Sequence, residues 1–142
     1  MSKADAHCVL LADRHHRLME GVRGLLETEF DVVVMVSDEQ SLCEGATRMK
    51  LATVVVDFTL AQGDGLGLVR RLRGRFPELK MIVLGFYSEP NVSRAILGAG
   101  ANAFVLKSLI ATDLLPAIDA VLAGKTYVSP SVAQSSSSED GT

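Results

Sequence analysis

The sequence lacks any long hydrophobic run. Its longest apolar stretches, such as Val32–Val36 and residues 81–84, are far shorter than the roughly 20 residues that cross a bilayer. The apolar stretch nearest the N-terminus, Cys8–Ala12, is also too short for the hydrophobic region of a signal peptide. We therefore expect a cytoplasmic protein that makes no contact with a membrane.

Cysteine and basic charge are also scarce. The two cysteines, Cys8 and Cys43, form no CxxC motif and have no neighbouring histidine and cysteine cluster, which argues against a disulfide framework or a zinc site. The formal net charge of -3 lacks the basic excess with which a domain holds nucleic acid. The basic residues between 70 and 80 are expected on a solvated helix face, so direct DNA binding by this chain is not predicted.

The apolar residues that are present follow a regular pattern. With 142 residues, 48% of them hydrophobic and 22% charged, the chain suits one globular domain. Short apolar runs alternate with amphipathic segments, and each run is apolar throughout, as in strands buried on both faces. This predicts a doubly wound α/β fold, a five-stranded parallel sheet with helices on both faces. The predicted strands are Cys8–Ala12, Val32–Val36, 53–58, 81–85 and Ala103–Leu106.

Capping residues and polar tracts predict several boundaries. Asp64 with Gly65 is typical of a turn and N-cap before the third helix, Ser88 or Asn91 is a candidate cap for the fourth, and Thr112 with Asp113 predicts the start of the fifth. After Tyr127 the chain becomes serine-rich. We therefore predict a domain over residues 1–128 and a Ser-rich linker or disordered tail over 129–142.

Three ionisable residues each follow a predicted strand: Asp13, Asp57 and Lys107. The carboxyl ends of parallel strands meet at one edge of a sheet, where open α/β sheets carry their functional sites. Two carboxylates and one ammonium at that edge could hold a cation, a phosphoryl group or each other.

These residues lie in motifs that resemble the receiver domain of bacterial response regulators, most of all the NarL/FixJ (LuxR-type) subfamily. The matching segments are VLLAD at 9–13, VVVD at 54–57, DGL at 64–66, GANAFVLK at 100–107 and AGKTYVSP at 123–130. The resemblance implies a flavodoxin-like sheet with strand order 2-1-3-4-5. It also implies that Asp57 accepts a phosphoryl group from a histidine kinase, that Asp13 and Asp57 lie beside Mg²⁺, and that Lys107 pairs with the phosphoryl oxygens.

The sequence departs from the family pattern at three positions and in one loop. Arg14 stands where the family has a second acidic metal ligand, and Gly85 stands where it has a Ser or Thr hydroxyl that contacts the phosphoryl group. Phe86 replaces the usual small residue, and the loop after Asp57 reads FTLAQG. Phe104 matches the aromatic position that moves inward when the hydroxyl moves, so the loss of the hydroxyl predicts a ring fixed in one rotamer.

Charge arithmetic predicts weak Mg²⁺ binding. An ordinary receiver site with three carboxylates and one lysine has a net charge of -2, which suits a divalent cation. In this chain Asp13 and Asp57 are opposed by Arg14 and Lys107, and the net charge of these four residues is zero. If Arg14 points inward, its guanidinium could contact Asp57 in place of the metal. In that interpretation Asp57 serves only as the anionic partner of Arg14 and Lys107. His15 and His16 are not expected to hold a metal.

We therefore predict an atypical receiver that acts as a signalling or transcription-regulatory module, dimerises without phosphorylation and has no turnover activity. It would contact DNA only through a helix-turn-helix domain that this chain does not contain. The alternative is a working receiver phosphorylated at Asp57 by a histidine kinase. An aspartate-based phosphatase is disfavoured because no second aspartate follows two residues after Asp57, and a flavodoxin-like carrier because the first loop lacks a phosphate-binding pattern. A different ligand in the space left by Gly85 also stays open.

Overall fold

The computed structural model describes residues 8–49, 53–86, 89–130 and 132. The strands are β1 (Cys8–Ala12), β2 (Val32–Val36), β3 (Thr53–Asp57), β4 (Lys80–Gly85), β5 (Ala103–Leu106) and β6 (Tyr127–Val128). The helices are α1 (His16–Leu26), α2 (Glu39–Arg48), α3 (Gly65–Arg75), α4 (Pro90–Ala99) and α5 (Ile110–Leu122), with a 3₁₀ turn at Lys107–Leu109. Strands and helices alternate along the chain as the hydrophobic pattern predicts.

All strand pairs in the sheet are parallel, and their order is β2-β1-β3-β4-β5-β6. The predicted order of the first five strands is confirmed. The prediction of five strands missed β6, which pairs Ala103 with Tyr127 and Phe104 with Val128. A two-residue strand carries no periodic signal, so the pattern could not reveal it.

The sheet separates two hydrophobic cores, because successive side chains of a strand point to opposite faces. On one face Leu10, Val56 and Phe104 pack with α2, α3 and α4. On the other, Leu11 and Val105 pack with α1 and α5. Burial on both faces explains why the central strands read as continuous apolar runs.

Two predicted helix starts differ from the structure. Helix α4 begins at Pro90 after Glu89, so Asn91 lies inside the helix, and Ser88 lies outside the described residues. Helix α5 begins at Ile110, so Thr112 and Asp113 lie in its first turn rather than before it, because the preceding 3₁₀ turn leads directly into the helix. Asp64 occupies the N-cap position of α3 without a capping hydrogen bond from its side chain.

The chain after Val128 continues to pack against the domain. Ser129 is fully buried, its Oγ accepts a hydrogen bond of 3.0 Å from the backbone N–H of Leu106, and its own N–H donates to the carbonyl of Phe104. Val132 belongs to the core on the face of the sheet that α2, α3 and α4 cover. Ser129 and Val132 therefore pack against the domain, and residues 131 and 133–142 of the predicted linker or tail lie outside the described part of the chain.

Candidate functional site

Asp13, Asp57 and Lys107 converge at the carboxyl edge of the sheet, as the sequence predicts. The Nζ of Lys107 lies 2.7 Å from Asp57 Oδ1 and 3.1 Å from Asp13 Oδ2. The Lys107 side chain is 7% exposed, that of Asp57 0% and that of Asp13 1%. One ammonium therefore bridges two buried carboxylates, and the ion pairs satisfy charges that would otherwise be costly to bury.

The two remaining carboxylate oxygens face away from Lys107 and have other neighbours. Asp13 Oδ1 accepts a hydrogen bond of 2.7 Å from the backbone N–H of His15 and lies 3.3 Å from His15 Nδ1. The hydroxyl of Thr59 donates a hydrogen bond to Asp57 Oδ2. Sequence reasoning did not place His15 or Thr59 in the site. Their position two residues after each aspartate, in the loop that follows each strand, was the available signal.

Arg14 does not take the inward position considered for it. Its side chain is exposed, and among the described residues the ion pair of Asp57 is with Lys107. Among the described residues no buried carboxylate pairs with the guanidinium of Arg14, and an exposed position keeps this cation hydrated. The buried charges are thus two carboxylates and one ammonium, which sum to -1 rather than zero.

The ring of Phe104 fills the space beside Gly85. A Cβ atom at position 85 would lie 2.9 Å from Cε1 and 3.3 Å from Cζ of Phe104, and Phe104 is fully buried. Real Cβ atoms almost never approach another heavy atom this closely, so a side chain at position 85 would require the ring to move. The ring of Phe104 therefore lies in the space that the missing side chain of Gly85 leaves.

Phe86 lies at the mouth of the site. Its side chain is 65% exposed, which is unusual for a large apolar residue, and Lys107 Nζ lies 5.0 Å from the centre of its ring. This distance suits a cation–π contact. Lys107 therefore contacts the carboxylates of Asp13 and Asp57 inside the site and the ring of Phe86 at its opening.

The parallel sheet, with Asp13, Asp57 and Lys107 together at its carboxyl edge, points to one family of proteins. The family model described as "Response regulator receiver domain" matches residues 9–119, and the chain belongs to that family. The predicted family is therefore confirmed, and the homologues include regulators of the LuxR/NarL type.

Individual relatives are transcriptional regulators. The chain is 28% identical to the transcriptional regulatory protein DegU of Brevibacillus brevis over 126 residues, which covers 87% of this chain and 53% of DegU. It is 29% identical to the transcriptional regulatory protein RcsB of Escherichia coli over 131 residues, which covers 89% of this chain and 61% of RcsB. This chain therefore spans little more than half the length of these relatives.

Solved structures show the same fold. A LuxR-family two-component response regulator from Aurantimonas sp. SI85-9A1 superposes with a TM-score of 0.85 at 26% identity, covering 95% of this chain and 98% of that one. A structure of two RcsB dimers bound to two parallel DNAs superposes with a TM-score of 0.78 at 28% identity, covering 90% of this chain and 66% of that one. In the described part of the present chain, no helix has the length and apolar character needed to cross a bilayer.

Receiver domains use Mg²⁺ at their acidic site, and the donors present here match that ion poorly. Mg²⁺ requires near-ideal octahedral coordination by oxygen. Asp13 and Asp57 each have one oxygen occupied by Lys107, position 14 supplies a guanidinium, and the third candidate ligand is the imidazole of His15. In the part of the chain that the structure describes, no third carboxylate that would favour a hard divalent cation joins Asp13 and Asp57.

Proposed function

We propose that this chain is an atypical receiver domain, a signalling module of a transcription regulator that is not switched by ordinary Mg²⁺-dependent phosphorylation of Asp57. The observation that carries this proposal is the contact between Phe104 and Gly85. The resemblance to receivers implies that a hydroxyl at position 85 reports phosphorylation and that the aromatic ring follows it inward. Here the hydroxyl is absent and the ring already fills its place.

The charges support the same proposal. Lys107 neutralises part of the charge on both carboxylates, and Arg14 replaces the acid that would hold Mg²⁺. Without the metal, an incoming phosphoryl group would meet two carboxylates, and among the described residues Lys107 is the one buried cation beside them. Phosphorylation of Asp57 should therefore be slow and its product poorly stabilised.

We propose that the module works as a homodimer in the cytoplasm and performs no turnover chemistry. DNA would be contacted through a separate helix-turn-helix domain, as the relatives' description as transcriptional regulators suggests. The Ser-rich segment 129–142 would be the linker to that domain or a tail.

The second candidate is a working receiver that a histidine kinase phosphorylates at Asp57 and that controls such a DNA-binding domain. It is favoured by the burial of Asp57 at the end of β3, directly beside Lys107. This is the arrangement that the family resemblance implies for an acceptor and its phosphoryl ligand.

Thermal unfolding of the chain alone, with Mg²⁺, and with Mg²⁺ plus beryllofluoride separates the two candidates. A ligand that binds only the folded state raises the melting temperature. We expect no shift with beryllofluoride, and we expect Arg14→Asp to gain a Mg²⁺-dependent shift because it restores an acidic ligand. A beryllofluoride shift in the unmodified chain that disappears in Asp57→Asn would establish the second candidate instead.

A further inference from the structure

A cleft lies between helices α3 and α4, next to the loop that leads from β3 into α3. Its volume is about 550 Å³, which falls within the range of roughly 300–1,000 Å³ that is usual for small-molecule sites. Among the described residues that line it, Asp13, Asp57 and Lys107 do not appear. The cleft is therefore a separate feature from the acidic site.

Apolar side chains form much of the wall of the cleft. Phe58, Leu66 and Val92 line it, and each packs against the hydrophobic core with only part of its surface. Ala95 also lines the cleft and is exposed. Covering apolar surface that is otherwise in contact with water is favourable, so an apolar ligand would gain free energy by binding here.

The ring of Phe58 is placed by the glycine that begins α3. A Cβ atom at position 65 would lie 2.5 Å from Cε1 and 2.6 Å from Cδ1 of Phe58, so only glycine lets the ring lie this close to the helix backbone. Phe58 directly follows Asp57, and its N–H donates to the carbonyl of Leu84 at 2.8 Å. A ligand in the cleft would therefore contact the residue next to Asp57.

The cleft also carries a positive charge whose hydrogen-bonding capacity is unused. Arg70 lines it, is exposed, and has no hydrogen-bond or ion-pair partner among the described residues. Asp64 lines the cleft as well, but its Oδ2 already accepts a hydrogen bond of 2.9 Å from Arg71 Nη1. The Asn91 side chain adds an amide that can donate a further hydrogen bond. These groups suit an anion, above all a carboxylate that the guanidinium can hold with two hydrogen bonds.

The length of the cleft favours a small molecule over a polypeptide. On α4 it extends from Asn91 to Ala95, and on α3 from Gly65 to Arg70. At about 1.5 Å per residue these segments are roughly 6 and 8 Å long. A helix that binds in a groove uses anchors at positions i, i+3, i+4 and i+7, which need at least about 10 Å. The cleft is too short for such a set of anchors.

We propose that the cleft between α3 and α4 binds a small organic carboxylate with a flat apolar body, and that Arg70 pairs with its carboxylate. The apolar body would cover Phe58, Leu66 and Val92. The proposal goes beyond the signalling role proposed above and holds whether or not Asp57 accepts a phosphoryl group.

The test uses naphthalene-2-carboxylate as the probe and naphthalene-2-carboxamide as its uncharged analogue of the same shape. Isothermal calorimetry on the tag-free chain measures the affinities, and two-dimensional amide NMR spectra locate the site. We expect the carboxylate to bind with a Kd on the order of a millimolar or lower, and the carboxamide to bind about threefold to tenfold more weakly, because it makes no charge-assisted hydrogen bond. The amide signals of Leu66, Val92 and Ala95 should move, whereas that of Ala111 in α5 should not.

Two variants separate the contribution of the charge from that of the apolar surface. Arg70→Gln should weaken the carboxylate about threefold to tenfold and leave the carboxamide unchanged. Its matched control is Arg75→Gln, which removes the same charge from the same helix at an exposed position that does not line the cleft. Ala95→Leu should weaken both probes because the larger side chain fills the cleft, and Ala111→Leu, also at an exposed helix position, should weaken neither.

All these variants change exposed residues, so they should fold as the unmodified chain does, which the same NMR spectra check. Equal affinities of the two probes, an equal loss in Arg70→Gln and Arg75→Gln, or unchanged binding in Ala95→Leu would each overturn the proposal. The absence of saturable carboxylate binding in the millimolar range would overturn it as well.

Discussion

At the residue scale, Gly85 has the greatest influence on how this site differs from its family. The absence of a side chain there lets Phe104 pack directly against the backbone of β4. An introduced methyl group would meet the ring at 2.9 Å within a fully buried layer. Because protein interiors are close-packed, the ring can make room only by displacing its own neighbours.

We predict that Gly85→Ala lowers the free energy of unfolding by about 1–3 kcal/mol, the usual cost of overpacking a core. The matched control is Gly24→Ala in helix α1, where a Cβ would meet no atom within 4 Å. That change should raise stability by roughly 0.5–1 kcal/mol, since alanine favours the helix over glycine. Urea denaturation measures both.

A second experiment tests whether the clash with Phe104, rather than any substitution at position 85, causes this loss of stability. If the clash with Phe104 is responsible, the penalty of Gly85→Ala should shrink when Phe104 is replaced by the smaller leucine. An equal penalty in both backgrounds would show that the ring is not the obstacle.

Sequence reasoning located the site residues but could not give their rotamers. The positions of Asp13, Asp57 and Lys107 follow from strand ends alone, so the pattern of apolar runs was enough to bring them together. The orientation of Arg14 depends on a balance between hydration and ion pairing at the surface, which no local pattern encodes. The contact between His15 and Asp13 depends on the loop conformation in the same way.

At the element scale, Arg73 joins helix α3 to two other segments. Its Nε donates to the carbonyl of Gly100 at 2.9 Å, its Nη1 to that of Pro77 at 2.8 Å, and its Nη2 to Asn102 Oδ1 at 2.8 Å. Asn102 Oδ1 also accepts the backbone N–H of Met81. Burial lowers the pKa of Arg73, as expected where a cation is surrounded by carbonyls rather than carboxylates.

We predict that Arg73→Lys destabilises the fold by about 1–3 kcal/mol, because an ammonium cannot reproduce the planar set of donors and leaves acceptors unsatisfied. Arg70→Lys on the same helix is the control. Arg70 is exposed, so its replacement should change stability by no more than about 0.5 kcal/mol. Equal midpoints of urea unfolding for the two variants would contradict the role assigned to Arg73.

Helix α3 also shows what hydrophobic periodicity cannot predict. Arg70, Arg71 and Arg75 of α3 are exposed, as expected for a solvated basic face. The pattern did not give the partners of these arginines: Arg71 pairs with Glu39 and Asp64, and Arg73 binds residues up to 29 positions away. Hydrophobic patterns identify the buried stripe of a helix but not the partners of its polar residues. Strand β6 was missed for a related reason, since its pairing to β5 depends on where the chain returns after α5.

At the scale of the whole molecule, the buried position of the Phe104 ring bears on how two copies of the chain form a dimer. The resemblance to receivers implies that output passes through the face made by α4, β5 and α5, or through contacts of α1 and α5, and that it often involves a homodimer. In this chain the ring on β5 is already buried, and the residue that would couple it to phosphorylation is Gly85. An equilibrium can be shifted only by a ligand with different affinities for the two states.

We therefore predict that the chain dimerises without phosphorylation and that beryllofluoride with Mg²⁺ does not change the dimer fraction. Size-exclusion chromatography with light scattering, run over a range of protein concentrations, measures both quantities. Phe104→Leu offers a further test, because loosening the contact with Gly85 should weaken the dimer if the buried ring holds the output face in its assembled state. A monomer at high concentration, or a dimer that forms only with beryllofluoride, would mean that the acidic site still controls assembly despite Arg14 and Gly85.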